Sequence, residues 1–277
     1  MRFAKYQGIG NDFVMVSDLD DSIELMPSLV RSLCDRRFGI GADGVIRVAS
    51  SRRAHFFMDY VNADGSPSEM CGNGIRCLAV FARAEGLTRE DVIDVETRSG
   101  VKTVTVEGDR VRVDMGPPIF EPSEIPVDLD GAGSDALHSK LELDQEVFDA
   151  AILSMGNPHA ILFVEDANSA PVTTLGPRLE EHSAFPNKAN IEFVAVDSPD
   201  HITMRVWERG SRETLACGTG ACAGAVAARL LRGTDAKVTV TLRGGDLETE
   251  WAGSVEVEAA VFMTGPAVEV FRGEISL

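Results

Sequence analysis

Short runs in which apolar and polar residues alternate dominate the first half of the chain: Asp12–Asp18, Ala54–Val61, Val92–Arg98, Lys102–Glu107 and Arg110–Met115. A period of two places successive side chains on opposite faces, so each run predicts a half-buried strand. Two segments with helical spacing interrupt them. Ser28–Arg37 follows a proline and stops before Gly39, and Gly74–Ala84 stops before Gly86. The second half repeats this style, with strands expected at Ala160–Val164, Ile191–Val196, Ile202–Glu208, Lys237–Leu242 and Val255–Phe262, and a long helix from about Gly220 to Leu231. That helix has no charge before Arg229, and Gly74–Ala84 is similar though less extreme. A helix apolar on every side must be buried on every side. The pattern therefore predicts an α+β protein in which curved, mostly antiparallel sheet encloses a central helix in each half.

Between the halves, Ile119–Ala150 holds nine acidic side chains and one lysine, and reads as a solvated connector or flap. It carries nearly half of the formal charge of −18. Phosphate binding needs clustered Lys and Arg, so this balance argues against nucleic acid and against an anionic membrane surface. Thr214–Ala228, an uncharged stretch of 15 residues that none exceeds, is too short to cross a bilayer. The N-terminal MRFAKYQGIGNDF has no basic-then-apolar signal pattern, so the expected compartment is the cytoplasm and the five cysteines are expected to be free thiols. Only five lysines occur, which weakens any chemistry built on a Schiff base.

Aligning the two buried helices exposes an internal repeat. FFMDYVNADGSPSEMCGNGIRC in the first half matches ITMRVWERGSRETLACGTGACA in the second, and each reads strand, turn, polar loop, then Cys-Gly-x-Gly opening a helix. Cys71 and Cys217 thus stand at two helix N-termini, where unpaired N–H groups and the helix dipole stabilise a thiolate. Flanking glycines let a small anion approach the backbone. Two such thiols suit a two-base reaction in which one removes an α-proton and the other delivers one to the opposite face. No metal and no cofactor is needed for that chemistry. A single CGxG would read as a tight turn with a structural thiol; two in matching contexts favour function. A zinc site would prefer closer spacing than Cys71/Cys77 or Cys217/Cys222, and Cys34, Cys77 and Cys222 read as core.

Six motifs then resemble one family in order along the chain: KYQGIGNDF (5–13), CDRRFGIGADG (34–44), MDYVNADGSPSEMCGNGIRC (58–77), MGNPHA (155–160), NIEF (190–193) and WERGSRETLACGTGACA (207–223). The family is the diaminopimelate epimerases of lysine and cell-wall biosynthesis. The resemblance implies two pseudo-symmetric domains, 1–118 with about 264–277 and 119–263, and a homodimer. It implies that Cys71 and Cys217 are the acid/base pair, with Cys217 the base and Cys71 the acid for the LL isomer. Gly72, Asn73, Gly218 and Thr219 are implied to hold the reacting α-carboxylate and amine. Asn11, Asn62, Asn157, Asn190, Glu208 and Arg209 are expected around the rest of a zwitterionic diaminopimelate, Arg209 as a carboxylate fork and Glu208 as an ammonium acceptor. By position alone Asn62 and Asn157 also read as turn residues. His159 has two readings, a hydrogen-bonded core residue or a neighbour that tunes a cysteine. One departure stands out: where the family commonly has GxDQ, this chain has Gly41-Ala42-Asp43-Gly44. Proline racemase-like enzymes and phenazine-pathway isomerases remain alternatives on one architecture, and a redox or metal-binding thiol protein is the alternative from another class.

Overall fold

Parallel strand neighbours need a crossover connection, and helices supply it; that rule organises both halves of the molecule. The computed structural model describes residues 1–129 and 135–276. The chain divides into Met1–Asp114 with Thr264–Leu277, and Met115–Met263. The first unit contains β1 (Arg2–Gly8), β2 (Asn11–Asp18), α1 (Pro27–Cys34), β3 (Gly44–Ala49), β4 (Phe56–Asn62), α2 (Gly72–Ala84), β5 (Val92–Thr97), β6 (Gly100–Glu107) and most of β7 (Arg110–Gly116). The second contains β8 (Ser139–Leu143), β9 (Glu146–Ser154), β10 (Pro158–Phe163), α3 (Val172–Glu180), β11 (Asn190–Ser198), β12 (His201–Glu208), the two-residue β13 (Arg212–Glu213), α4 (Gly218–Arg232), β14 (Lys237–Leu242) and β15 (Gly245–Glu250). Strand β16 (Val261–Pro266) passes from the second unit back to the first, where β17 (Val268–Glu274) pairs antiparallel with β1.

The two units share one pairing scheme. In the first, β1–β2 is antiparallel, β2–β3 parallel, β3–β4 antiparallel, β4–β5 parallel and β5–β6 antiparallel. In the second, β9–β10, β10–β11, β11–β12, β12–β14 and β14–β15 follow the same five steps. Each parallel step is bridged by a helix: α1 and α2 in the first unit, α3 and α4 in the second. The fold is α+β, dominated by mostly antiparallel sheet.

Helix α4 is buried from Gly220 to Ala228 and touches β9, β10, β11, β12, β14 and β15. Helix α2 buries Gly72–Ala79, Phe81 and Ala82 against β1, β2, β3, β6 and β17. Each is the central helix its apolar sequence predicts, begun two residues earlier than expected. Small residues on α4 permit close approach: a Cβ on Gly224 would lie 3.3 Å from Met204 Sδ.

Three expectations need correction. Ile119–Ala150 is not a solvated connector: β8 and β9 pair as a hairpin from Ser139↔Ala150 to Leu143↔Glu146, and Ile125, Leu141 and Ala150 join the core of the second unit. Its acidic residues mask a period of two in which Ser139 and Leu141 are buried and Lys140 and Glu142 exposed. Residues 130–134 of this stretch lie outside the described residues. Val255–Phe262 is not a strand until Val261. Val255 and Val257 are exposed, and the Ser254 hydroxyl accepts from the backbone N–H of Glu256 and Val257, which turns the chain instead. Helix α3 was not expected, because Pro171, Gly176 and Pro177 punctuate its sequence. Gly176 is required by packing: a Cβ there would stand 2.6 Å from Trp207 Cβ.

Candidate active site

Cys71 and Cys217 occupy the same local structure. Each is the N-cap of its buried helix, with extended backbone (φ −138°, ψ 116° and φ −123°, ψ 111°). Each sulfur accepts from the backbone N–H three residues on, Gly74 N at 3.4 Å and Gly220 N at 3.3 Å. These donors are the otherwise unpaired N–H groups of a first helical turn. The glycines are dictated by space. A Cβ on Gly74 would lie 2.7 Å from Ile46 Cδ1, and one on Gly220 would lie 2.8 Å from Glu192 Oε1.

The register extends the match to the surrounding side chains. Phe13 pairs with Gly44, and Gly44 with Asn62. His159 pairs with Asn190, and Ile191 with Trp207, one step from Asn190 and Glu208. At one constant offset in residue number, Asn11 corresponds to Asn157, Phe13 to His159, Gly44 to Asn190, Ile46 to Glu192, Asn62 to Glu208, and Asn73 to Thr219.

Around Cys71 the first unit places amides. Asn11 Oδ1 lies 3.5 Å from Cys71 Sγ and accepts from Asn73 Nδ2 at 3.2 Å. Asn11 Nδ2 donates to Asp43 Oδ2 at 2.7 Å. Asn73 Oδ1 accepts from Arg76 Nη2 at 3.0 Å, and Arg76 Nη1 donates to the Gly72 carbonyl at 3.2 Å. Asn62 closes a turn, its Nδ2 donating to Ser66 Oγ at 3.1 Å. Gly44 has no room for a side chain: a Cβ would sit 2.5 Å from Tyr60 Cε2 and 2.6 Å from the Val61 carbonyl oxygen. The space beside it belongs to the Tyr60 ring.

Around Cys217 the second unit places titratable groups. His159 and Glu192 are fully buried, with Nδ1 and Oε1 2.6 Å apart. The other ring nitrogen of His159 is 3.0 Å from Asn157 Oδ1. Asn190 Nδ2 lies 3.5 Å from His159 Nδ1, while its Oδ1 accepts from Arg209 N at 2.8 Å. The Thr214 hydroxyl donates to Glu208 Oε1, and Thr219 Oγ1 is 3.5 Å from Cys217 Sγ. Arg209 Nη1 donates to the Asn187 carbonyl at 3.2 Å. Loss of water pushes the Cys217 thiol well above its ordinary range, and the charges of Glu208 and Glu192 push it further. Burial is also the largest cause that raises Glu208, to about 7; Glu192 adds to the rise, and Thr214, Cys217 and His159 oppose it. The remaining thiols are buried, and burial lifts Cys34 to about 11 and Cys77 to about 12.

Hydrogen bonds join Asn11 and Asn73 to the Cys71 cluster, and Asn157, His159 and Asn190 to one another beside Cys217, whereas the Asn62 side chain turns to Ser66 and the Arg209 side chain to the Asn187 carbonyl. Four neighbours were missed: Asp43, Arg76, Glu192 and Thr214. Two carried a signal, since Arg76 is a charge inside an apolar helix and Glu192 a carboxylate between Ile191 and Phe193.

The diaminopimelate epimerase family model matches residues 3–121 and 151–270. The chain belongs to the diaminopimelate epimerase family. Diaminopimelate epimerases of Moorella thermoacetica and Leptospira biflexa are 48% and 44% identical to it, over 100% of this chain and 100% and 99% of theirs. A PhzF-family phenazine biosynthesis protein of Bacillus anthracis has the same fold, with a TM-score of 0.73 at 19% identity over 100% of this chain and 99% of that one. So does a probable proline racemase of Agrobacterium radiobacter, with a TM-score of 0.71 at 15% identity over 100% and 93%. Among the described residues of this family member, no helix is long and apolar enough to cross a membrane.

Proposed function

We propose that this epimerase interconverts LL-2,6-diaminopimelate and meso-diaminopimelate without a cofactor, with Cys71 and Cys217 as the acid/base pair. The observation that carries the reading is the duplication of an N-cap thiol, one at the head of each buried helix, in a chain of this family. With LL substrate, the Cys217 thiolate removes the α-proton and Cys71 delivers its own to the opposite face. The two sulfurs then hold the opposite protonation states, ready for the meso isomer. The carbanion's charge spreads into the adjacent carboxylate, which the glycine-flanked N–H groups of Gly72, Asn73, Gly218 and Thr219 stabilise with the helix dipoles.

The high Cys217 thiol fits this scheme once substrate is considered. An incoming ammonium beside Glu208 cancels a negative charge that disfavours the thiolate, so substrate binding itself promotes deprotonation. Arg209 receives the distal carboxylate, and Asn11, Asn62, Asn157 and Asn190 complete the polar set. His159 tunes Cys217 through Glu192. The protein acts in the cytoplasm as a homodimer, with domains 1–118 plus 264–277 and 119–263.

The test is incubation with LL-diaminopimelate in heavy water under reducing conditions. Meso product carrying deuterium at the inverted α-carbon is expected. Unchanged substrate, or labelled proline in its place, overturns the assignment.

A further inference from the structure

The first unit contains a hydrogen-bond chain whose direction is set at both ends. Asp43 is a carboxylate, which only accepts, and Arg76 is a guanidinium, which only donates. Between them lie two amides that could each be turned either way. Asp43 Oδ2 takes the Asn11 Nδ2 hydrogen at 2.7 Å, so Asn11 must direct its oxygen away from Asp43. Asp43 is itself held by Arg36 Nη2 on Oδ1 at 2.8 Å and by the Asp12 backbone N–H on Oδ2 at 3.1 Å. At the other end Arg76 Nη2 donates to Asn73 Oδ1 at 3.0 Å, so Asn73 must direct its NH2 group away from Arg76. The two constraints agree: Asn73 Nδ2 donates to Asn11 Oδ1 at 3.2 Å. The same oxygen lies 3.5 Å from Cys71 Sγ. Asn73 and Arg76 are buried, so neither can turn toward water without losing its partners.

We propose that Asp43 and Arg76 are positioning residues that polarise the Asn11–Asn73 pair, so that a carbonyl oxygen faces Cys71 and this sulfur rests as a thiol. An acceptor at that distance receives an S–H hydrogen and repels a thiolate. Charged groups on the surrounding elements include Arg76 on α2, Lys5 on β1, Asp12 on β2, Arg36 after α1, Asp43 before β3 and Glu69 in the loop leading to Cys71. Lys5 and Arg36 are committed to Asp12, and Arg36 also to Asp43, so this basic pair is offset before it reaches the sulfur. Gly74 N–H favours the thiolate from within the first turn, and the Asn11 oxygen opposes it. The inference deepens the reading above by assigning the resting acid: Cys71 stands ready to donate, which is its role when the LL isomer reacts.

Loss of the acceptor-only end removes one of the two constraints on Asn11, while Arg76 continues to orient Asn73. In Asp43→Asn the new side chain offers an NH2 group, Asn11 can turn over, and its own NH2 group then faces the sulfur.

The experiment measures the rate of Cys71 alkylation by iodoacetamide as a function of pH in the full-length protein, with the modified peptide identified by mass spectrometry. Asp43→Asn should move the alkylation midpoint to lower pH by about one pH unit. Asp43→Glu, which keeps an acceptor-only group, should return it toward the wild-type value. Asn11→Ala removes the acceptor altogether and should lower the midpoint as well, which keeps the inference testable if Asp43→Asn does not fold. An unchanged midpoint in Asp43→Asn and Asn11→Ala, or an equal shift in Asp43→Glu, overturns it. Alkylation needs no turnover, so a failed deuterium experiment with these shifts intact would sink the epimerase reading and leave this one standing.

Discussion

The two thiols share a scaffold and differ in most of what is placed around it. Cys71 and Cys217 cap equivalent helices, with the same glycine three residues on and the same strand pairings beneath. Yet Phe13, Ile46 and Asn62 in the first unit stand where His159, Glu192 and Glu208 stand in the second. The first sulfur is half-exposed and sees an amide oxygen; the second is buried beside two carboxylates. Backbone geometry was kept through the duplication while the titratable groups were concentrated on one side. Pre-organised N–H donors serve both thiols alike, whereas the proposed reaction asks one sulfur to take a proton from the substrate carbon while the other gives one, a division of labour that unlike surroundings support.

The strongest way to break the comparison is to remove either thiol. Cys71→Ala and Cys217→Ala should each lower kcat by about 10³-fold or more, since a positioned proton donor or acceptor contributes about 10²–10⁴-fold. Thermal melts should change little, because both positions are N-caps and alanine costs such a site only about 1 kcal/mol. Retained turnover in either variant would reject the two-base scheme, and a collapse of the melt would make the thiol structural.

Giving the second unit the first unit's residue is a sharper test. Glu192→Ile places at Glu192 the side chain that Ile46 presents to the equivalent helix turn. One of the charges that disfavours the Cys217 thiolate is then gone, although burial remains the larger cause. The Cys217 alkylation midpoint should fall by about one pH unit, with the Cys71 midpoint unmoved. If both midpoints stay in place, the carboxylate at 192 does not distinguish the two sites.

Glu208 offers a comparison through pH. Its folded value, about 7, is above the ordinary 4.5. Between those limits the folded protein binds more protons than the unfolded chain, so this group makes stability fall as pH rises from about 4.5 to about 7. Glu208→Gln should therefore gain on the wild type across that window, measured as the difference in Tm at pH 5 and pH 8. Asn62→Asp, on the unit that lacks the acid, should show no such trend. In turnover, KM for diaminopimelate should drop as pH rises through about 7 in the wild type, when the carboxylate becomes ready for an ammonium, and this dependence should vanish in Glu208→Gln.

How much of this was legible beforehand follows from where the information lies. The buried helices and their cysteines were readable because an uncharged run and a repeated Cys-Gly-x-Gly are local features. Helix α3 was not, since its Gly176 answers to Trp207, a residue distant in sequence. Yet the repeat contained a clue: α1 bridges the first parallel step of one unit, and the matching step of the other needs a bridge too. Asp43 and Arg76 escaped notice for a related reason. Their effect on Cys71 passes through the orientation of two amides, and orientation is settled only by partners that folding assembles.

An effect on stability alone is expected at Gly44, where the strand scaffold is at its tightest. Its counterpart Asn190 carries a side chain that reaches His159 and the Arg209 backbone, whereas at Gly44 the ring of Tyr60 and the Val61 carbonyl take that space. Gly44→Ala puts a methyl group 2.6 Å from a backbone oxygen that cannot retreat without disturbing the β3–β4 ladder, and 2.5 Å from a ring already packed edge-on against Phe13. A cost of about 1–3 kcal/mol in unfolding free energy is expected, measured by denaturant titration. In the Tyr60→Ala background the ring's share of that clash disappears and the carbonyl's remains. The cost of Gly44→Ala should therefore shrink there without reaching zero, and a full cost in that background would show that the backbone, not Tyr60, keeps position 44 a glycine.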